Sequence, residues 1–223
     1  MFRLLALIAL SFSSLLTSGC LAAQSFTSAR TLEQGKTEVT VVAAAGFPNV
    51  ETGYGGYAHL PAPSLGAQVR HGATEHLELG VTLGQQGLGG QLKFALLRSE
   101  SPQAGASLSV APAAILNPMA LGQAGARLLF SGELPLLLGI HLGGGHELTL
   151  APLARWTYGA GGSFVSAGGT LGVALRLSDI FVLTPEVGVM VPVMGEHPFD
   201  YRHSESVLGP VVPSFGLGMT WGR

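Results

Sequence analysis

The chain has 223 residues, 11 Lys+Arg against 13 Asp+Glu, and a formal net charge of -2. No basic face is available for nucleic acid, and a single cysteine excludes an intrachain disulfide. Charged residues make up 11% of the chain, where a soluble domain carries roughly a quarter; with 33 glycines and a mean hydropathy of +0.44, this suits a sheet that faces lipid.

The chain opens on a short basic start, Met1-Phe2-Arg3, followed by an apolar core from Leu4 to Leu16. That core is too short for a spanning helix and reads as a secretory signal. Thr17-Ser18-Gly19-Cys20 follows. Small residues before a cysteine at the end of a signal resemble the lipobox of bacterial lipoproteins. The resemblance implies cleavage before Cys20 and lipid on Cys20. Thr17 stands where the family prefers Leu, and cleavage near Ala22-Ala23 is the alternative. The chain accordingly divides into a signal peptide at 1–19, a small, polar, lipid-anchored tether at 20–36, and one β domain at 37–223.

Ten blocks of alternating apolar and polar or tiny residues fill that domain. Strand side chains point to opposite faces with period two, so each block has one greasy and one wet face. The blocks are Thr37–Phe47, Ser64–Arg70, Leu77–Leu83, Leu88–Leu96, Ala104–Ala113, Ala124–Leu142, Glu147–Tyr158, Gly168–Leu177, Ile180–Val193 and Pro210–Trp221. Leu77-Glu78-Leu79-Gly80-Val81-Thr82-Leu83 shows the pattern most cleanly. Ser101 to Ala126 carries no charge, and a spanning helix must be weighed there. Pro102, Pro112 and Pro118 argue for strands instead.

The connections alternate as well. Short polar gaps lie at 71–76, 97–103, 143–146 and 178–179, whereas long ones lie at 48–63, 114–123 and 194–209; the gaps at 84–87 and 159–167, on the long side, are shorter exceptions. Short turns at one end and longer loops at the other resemble bacterial outer-membrane barrels, whose short turns are periplasmic. The resemblance implies an all-β, single antiparallel transmembrane β-barrel of about ten strands. Its likeness is generic and names no family member. A secreted β-sandwich is the soluble alternative.

Charges test the phase. Glu38, Arg70, Glu78, Lys93, Arg127, Glu133, Glu147, Arg155, Arg176 and Glu186 are the charged residues inside the blocks. All fall opposite the apolar face, an outcome of roughly one in a thousand by chance. A charge facing lipid near the bilayer middle would cost about 2–4 kcal/mol. Across an antiparallel turn, facing residues share a constant sum of numbers. A turn near 144 sets Glu133 opposite Arg155 and His141 opposite Glu147. A turn near 86 sets Glu78 beside Lys93, with Arg70 across the previous turn, and a loop near 161 sets Glu147 beside Arg176. These sums predict charge ladders crossing the lumen. A lumen so crowded is too narrow for a wide diffusion pore.

Trp156 and Tyr158 at one end and Trp221 at the other suit the two lipid interfaces, or are ordinary strand aromatics. Trp221 is followed by Gly222-Arg223, which departs from the terminal aromatic common in outer-membrane proteins. The last long loop holds His197, Asp200, His203, Ser204 and Glu205. Omptin proteases are ten-stranded barrels with acidic and His-Asp pairs above the membrane, but no matching acidic pair is evident in the other loops. His141 with Glu147 could gate by titration, though a plain hydrogen bond accounts for the pair. His59 near Tyr54 and Tyr57 has no second ligand of metal-site type. The glycine runs at 143–145 and 159–162 precede no helix and read as turns, not phosphate loops.

The expectation is therefore a narrow pore or non-catalytic envelope component in the bacterial outer membrane, monomeric, with no cofactor, metal or nucleic-acid partner. Its partners are membrane lipid and a small solute or surface ligand that the sequence does not name. A barrel displaying loops for adhesion, and a hydrolase using loop 194–209, are the rivals.

Overall fold

The computed structural model describes residues 25–47, 49–51, 57–59, 61–85, 87–99, 101, 104–120, 126–159, 162–195 and 211–222. Cys20, the signal region, Tyr54 and loop residues 196–209 lie outside these. Every described element is a β-strand: β1 (Thr37–Gly46), β2 (Asn49–Glu51), β3 (Tyr57–His59), β4 (Ala62–Gly72), β5 (Leu77–Gly84), β6 (Gly87–Leu97), β7 (Gly105–Val110), β8 (Ala113–Ala120), β9 (Ala126–Gly143), β10 (His146–Gly159), β11 (Gly162–Arg176), β12 (Phe181–Gly195) and β13 (Val212–Trp221).

The main sheet is antiparallel and closed. β1 pairs with both β4 and β13, and β9 with β10, which returns through β11 and β12 to β13. β7 and β8 together form one stave between β6 and β9. Ten staves therefore make the wall. The interruption has a chemical cause at Ala111-Pro112, because proline has no N–H to donate to the ladder. The flanking groups bond instead across the break, Ala111 N to Pro135 O at 3.0 Å and Leu92 N to Pro112 O at 3.0 Å.

Three connections differ from the expected layout. Much of the supposed loop at 114–123 is β8, which resumes the stave after the proline. β11 begins at Gly162, six residues before the alternation becomes legible, because Gly168 and Gly169 blur the two faces. β2 and β3 form a separate hairpin within the expected 48–63 loop. β9 to β12 span 14–18 residues, more than the roughly 9–11 a membrane strand needs. The β9–β10 turn is tight, with Gly143, Gly144 and Gly145 at φ of 84°, 59° and 81°. Only glycine adopts such a run without strain.

Closing the sheet decides what each face meets. The apolar face points outward, where Val81, Leu134, Leu171 and Val187 are all well exposed. Trp156 and Tyr158 stack on it at 6.0 Å near the long-loop end, and Phe181 and Trp221 meet at 5.2 Å near the short-turn end. The wet face lines a lumen in which Glu38, Arg70, Glu78, Lys93, Glu147, Arg155 and Glu186 are buried. The inner face is not purely polar. Leu153, Phe164, Met190 and Val212 form an apolar cluster inside, over the β10–β13 side.

Candidate functional site

The charges pair mainly along the wall, between neighbouring strands, rather than across the lumen. Glu38 meets Arg70 at 2.7 Å; Arg70 reaches Glu78 at 3.6 Å; Glu78 holds Lys93 at 2.7 Å. This ladder runs from β1 through β4 and β5 to β6. On the opposite wall Arg155 and Glu133 face each other at 2.7 Å, and His141 Nδ1 lies 3.5 Å from Glu147. Arg176 does not sit beside Glu147. The β10–β11 register places Glu147 opposite Ala174, and the Arg176 guanidinium turns to Asp179 at 3.0 Å in the next turn. Arg127 lies in β9 opposite Met119 of β8; its side chain is not among those described.

The space between the walls is filled by the chain itself. Residues 25–33, read from sequence as part of a tether, run through the short-turn half of the lumen. Three carboxylates hold the main chain of this segment. Glu186 accepts from Ser25 N at 2.7 Å and Phe26 N at 2.9 Å, and from Ser25 Oγ at 2.7 Å. Glu147 accepts from Ala29 N at 2.7 Å, and Glu78 from Leu32 N at 3.0 Å. Lys93 Nζ donates to the carbonyls of Ser28 and Arg30, both at 3.2 Å, and Ser109 Oγ donates to the carbonyl of Ala29. Arg70 donates to Thr27 Oγ1 at 2.6 Å.

Buried charges need partners, and buried peptide groups need hydrogen bonds. Wall and segment satisfy each other. Hydrogen bonds with one ionised partner contribute about 1.5–3 kcal/mol each. Small side chains let the segment fit. Ser25, Thr27, Ser28, Ala29 and Thr31 leave room for the wall, and Gly139 offers no Cβ where Ala29 and Glu147 meet.

The segment also has a direction. Glu78 and Glu147 are the second residues of β5 and β10, at the short-turn rim, whereas Glu186 is the sixth residue of β12. Ser25 therefore lies deeper in the lumen than Leu32. Among the described residues, a cavity of about 100 Å³ lies on the segment's long-loop side and one of about 350 Å³ toward the short-turn rim.

Sequence reasoning placed the wall charges and missed their ligand. One signal was available: Glu186 received no partner from the pairing sums, and no basic side chain pairs with it among the described residues.

No family model and no curated protein matches the chain. Solved structures similar to it are outer-membrane barrels. The attachment invasion locus protein Ail of Yersinia pestis is 12% identical over 85% of this chain and 99% of its own, with a TM-score of 0.31. The outer membrane protease OmpT from Escherichia coli is 8% identical over 87% and 98%, with a TM-score of 0.39. Neisserial surface protein A is 9% identical over 83% and 95%, with a TM-score of 0.26.

Proposed function

We propose that the chain is a non-catalytic barrel of the bacterial outer membrane, working as a narrow pore held shut by its own N-terminal segment. The observation that carries this reading is the anchoring of residues 25–33 by Glu78, Glu147 and Glu186 inside the lumen. An exterior rich in exposed Leu, Val and Phe, with aromatic residues near both ends of the wall, supports lipid as its surroundings. Short turns then face the periplasm, and the protein acts as a monomer on a small solute.

The test is a planar-bilayer recording. The full chain is expected to stay silent or nearly so. The triple variant Glu78→Gln, Glu147→Gln, Glu186→Gln is expected to conduct, because amides hold the segment less tightly than carboxylates. A silent triple variant with a demonstrably released segment would overturn the pore. It would favour a barrel that only displays its long-loop end, a role a filled lumen serves equally well.

Export by a removed signal, with lipid on Cys20, belongs to the same proposal. Mass spectrometry of the mature N-terminal peptide distinguishes a lipidated Cys20 from cleavage near Ala22-Ala23. The hydrolase reading of loop 194–209 has its own test: loss of a measured peptidase activity on His203→Ala would restore it.

A further inference from the structure

Phe26 combines three features found together nowhere else in the described chain. It is the one described non-glycine residue with positive φ, at 40°. A bulky L-residue seldom takes that backbone, and it persists only where the surroundings enforce it. Here Glu186 enforces it by binding the N–H groups of Phe26 and Ser25. The ring is 4% exposed and lies over Gly216 and Gly218 of β13. A Cβ at Gly218 would come within 3.1 Å of its Cδ1, and one at Gly216 would collide with Cζ. The wall is thus hollowed for this ring. Phe26 also lines both cavities, so it stands at their boundary.

The two cavities differ in chemistry. The one toward the short-turn rim is lined by charges of both signs, among them Glu38, Arg70 and Glu147. The other is lined by Val42, Ile115, Pro135 and Leu153, with the Gln68 and Gln91 amides and the hydroxyls of Ser64, Thr82 and Thr170 among its polar groups. Its one charged lining residue, Glu133, is neutralised by Arg155 at 2.7 Å.

We infer that Phe26 is the constriction of the pore and that the chamber beyond it, on the long-loop side, restricts passage to small uncharged solutes. This rests on the pore reading above. An ion passing Phe26 exchanges its hydration shell for a chamber with no free counter-charge, which is costly. A neutral solute loses far less, and the paired Gln68 and Gln91 amides, 3.3 Å apart, offer it donors and acceptors. Size sets the other limit. A dry cavity of about 150 Å³ accommodates benzene, so one of about 100 Å³ suits a solute of a few heavy atoms.

The experiment is osmotic swelling of proteoliposomes in glycerol, with potassium chloride conductance measured alongside. It uses the full chain, Phe26→Ala, and Gly216→Ala, which keeps the phenylalanine and removes its seat. Heat-modifiable gel mobility shows which variants are folded, and either variant suffices. The expected result is glycerol entry several-fold faster than in the parent, with ion conductance nearly unchanged. Ion conductance rising in step with glycerol entry would overturn the selectivity. No gain in either variant, while the Glu78, Glu147, Glu186 triple variant conducts, would overturn Phe26 as constriction and leave the pore standing. Silence of the triple variant as well would remove both.

Discussion

The carboxylate of Glu186 on β12 accepts the main-chain N–H of Phe26 at 2.9 Å, joining residues 160 apart in sequence. The same carboxylate takes Ser25 N and Ser25 Oγ, both at 2.7 Å. Glu186→Leu removes all three acceptor contacts while approximately preserving volume. Each bond to a charged acceptor is worth about 1.5–3 kcal/mol, so the segment is expected to detach at this end while the wall stays closed. Native-state hydrogen exchange reads it: the amides of Ser25 and Phe26 should lose protection and those of β12 should keep it. Unchanged protection at Phe26 would show that Glu186 is not the anchor.

Lys93 is fully buried and holds Glu78 together with two segment carbonyls. Lys93→Met keeps the stem and removes the charge. Glu78 is then left with Arg70 at 3.6 Å as its nearest cation. Removing one partner of a buried ion pair costs about 3–5 kcal/mol. Exposed Lys36, replaced the same way, is expected to cost under about 0.5 kcal/mol. Denaturant unfolding from lipid vesicles should separate the two, and similar midpoints would contradict the buried assignment.

Glu133 and Arg155 meet at 2.7 Å in the lumen, away from the segment's anchors. Either single replacement by leucine is expected to cost about 3–5 kcal/mol, since a buried charge loses its ion-pair partner. The double replacement should cost less than the sum of the singles. A double-mutant cycle with no coupling energy would mean that the two charges do not depend on each other.

Val187 is 56% exposed on the outer face, next to buried Glu186. In lipid, Val187→Arg is expected to destabilise the barrel by about 2–4 kcal/mol. A soluble sheet would tolerate the same exposed arginine with almost no change. Equilibrium unfolding in vesicles of defined thickness tests this, and a cost near zero would argue against membrane contact at β12.

The sequence makes the two faces of the wall legible because strand geometry has period two and lipid tolerates no unpaired charge. That is why Glu133–Arg155 and Glu78–Lys93 can be paired by counting across turns. Arg176 escaped the counting: the β10–β11 register sets Glu147 against Ala174, two residues short of Arg176, whose guanidinium meets Asp179 instead. β8 escaped because Pro112 interrupts the alternation, and early β11 because its glycines have no side chain to show a face.

By itself, then, the sequence determined an all-β chain, the inward direction of every described strand charge and the approximate stave count. Only the tertiary structure decided that residues 25–33 lie within the wall. Those residues bind Glu78, Glu147 and Glu186 largely through main-chain N–H groups, which every non-proline residue carries alike. Periodicity and charge cannot register such a contact. It appears only when the closed sheet brings three distant carboxylates around one short stretch of backbone.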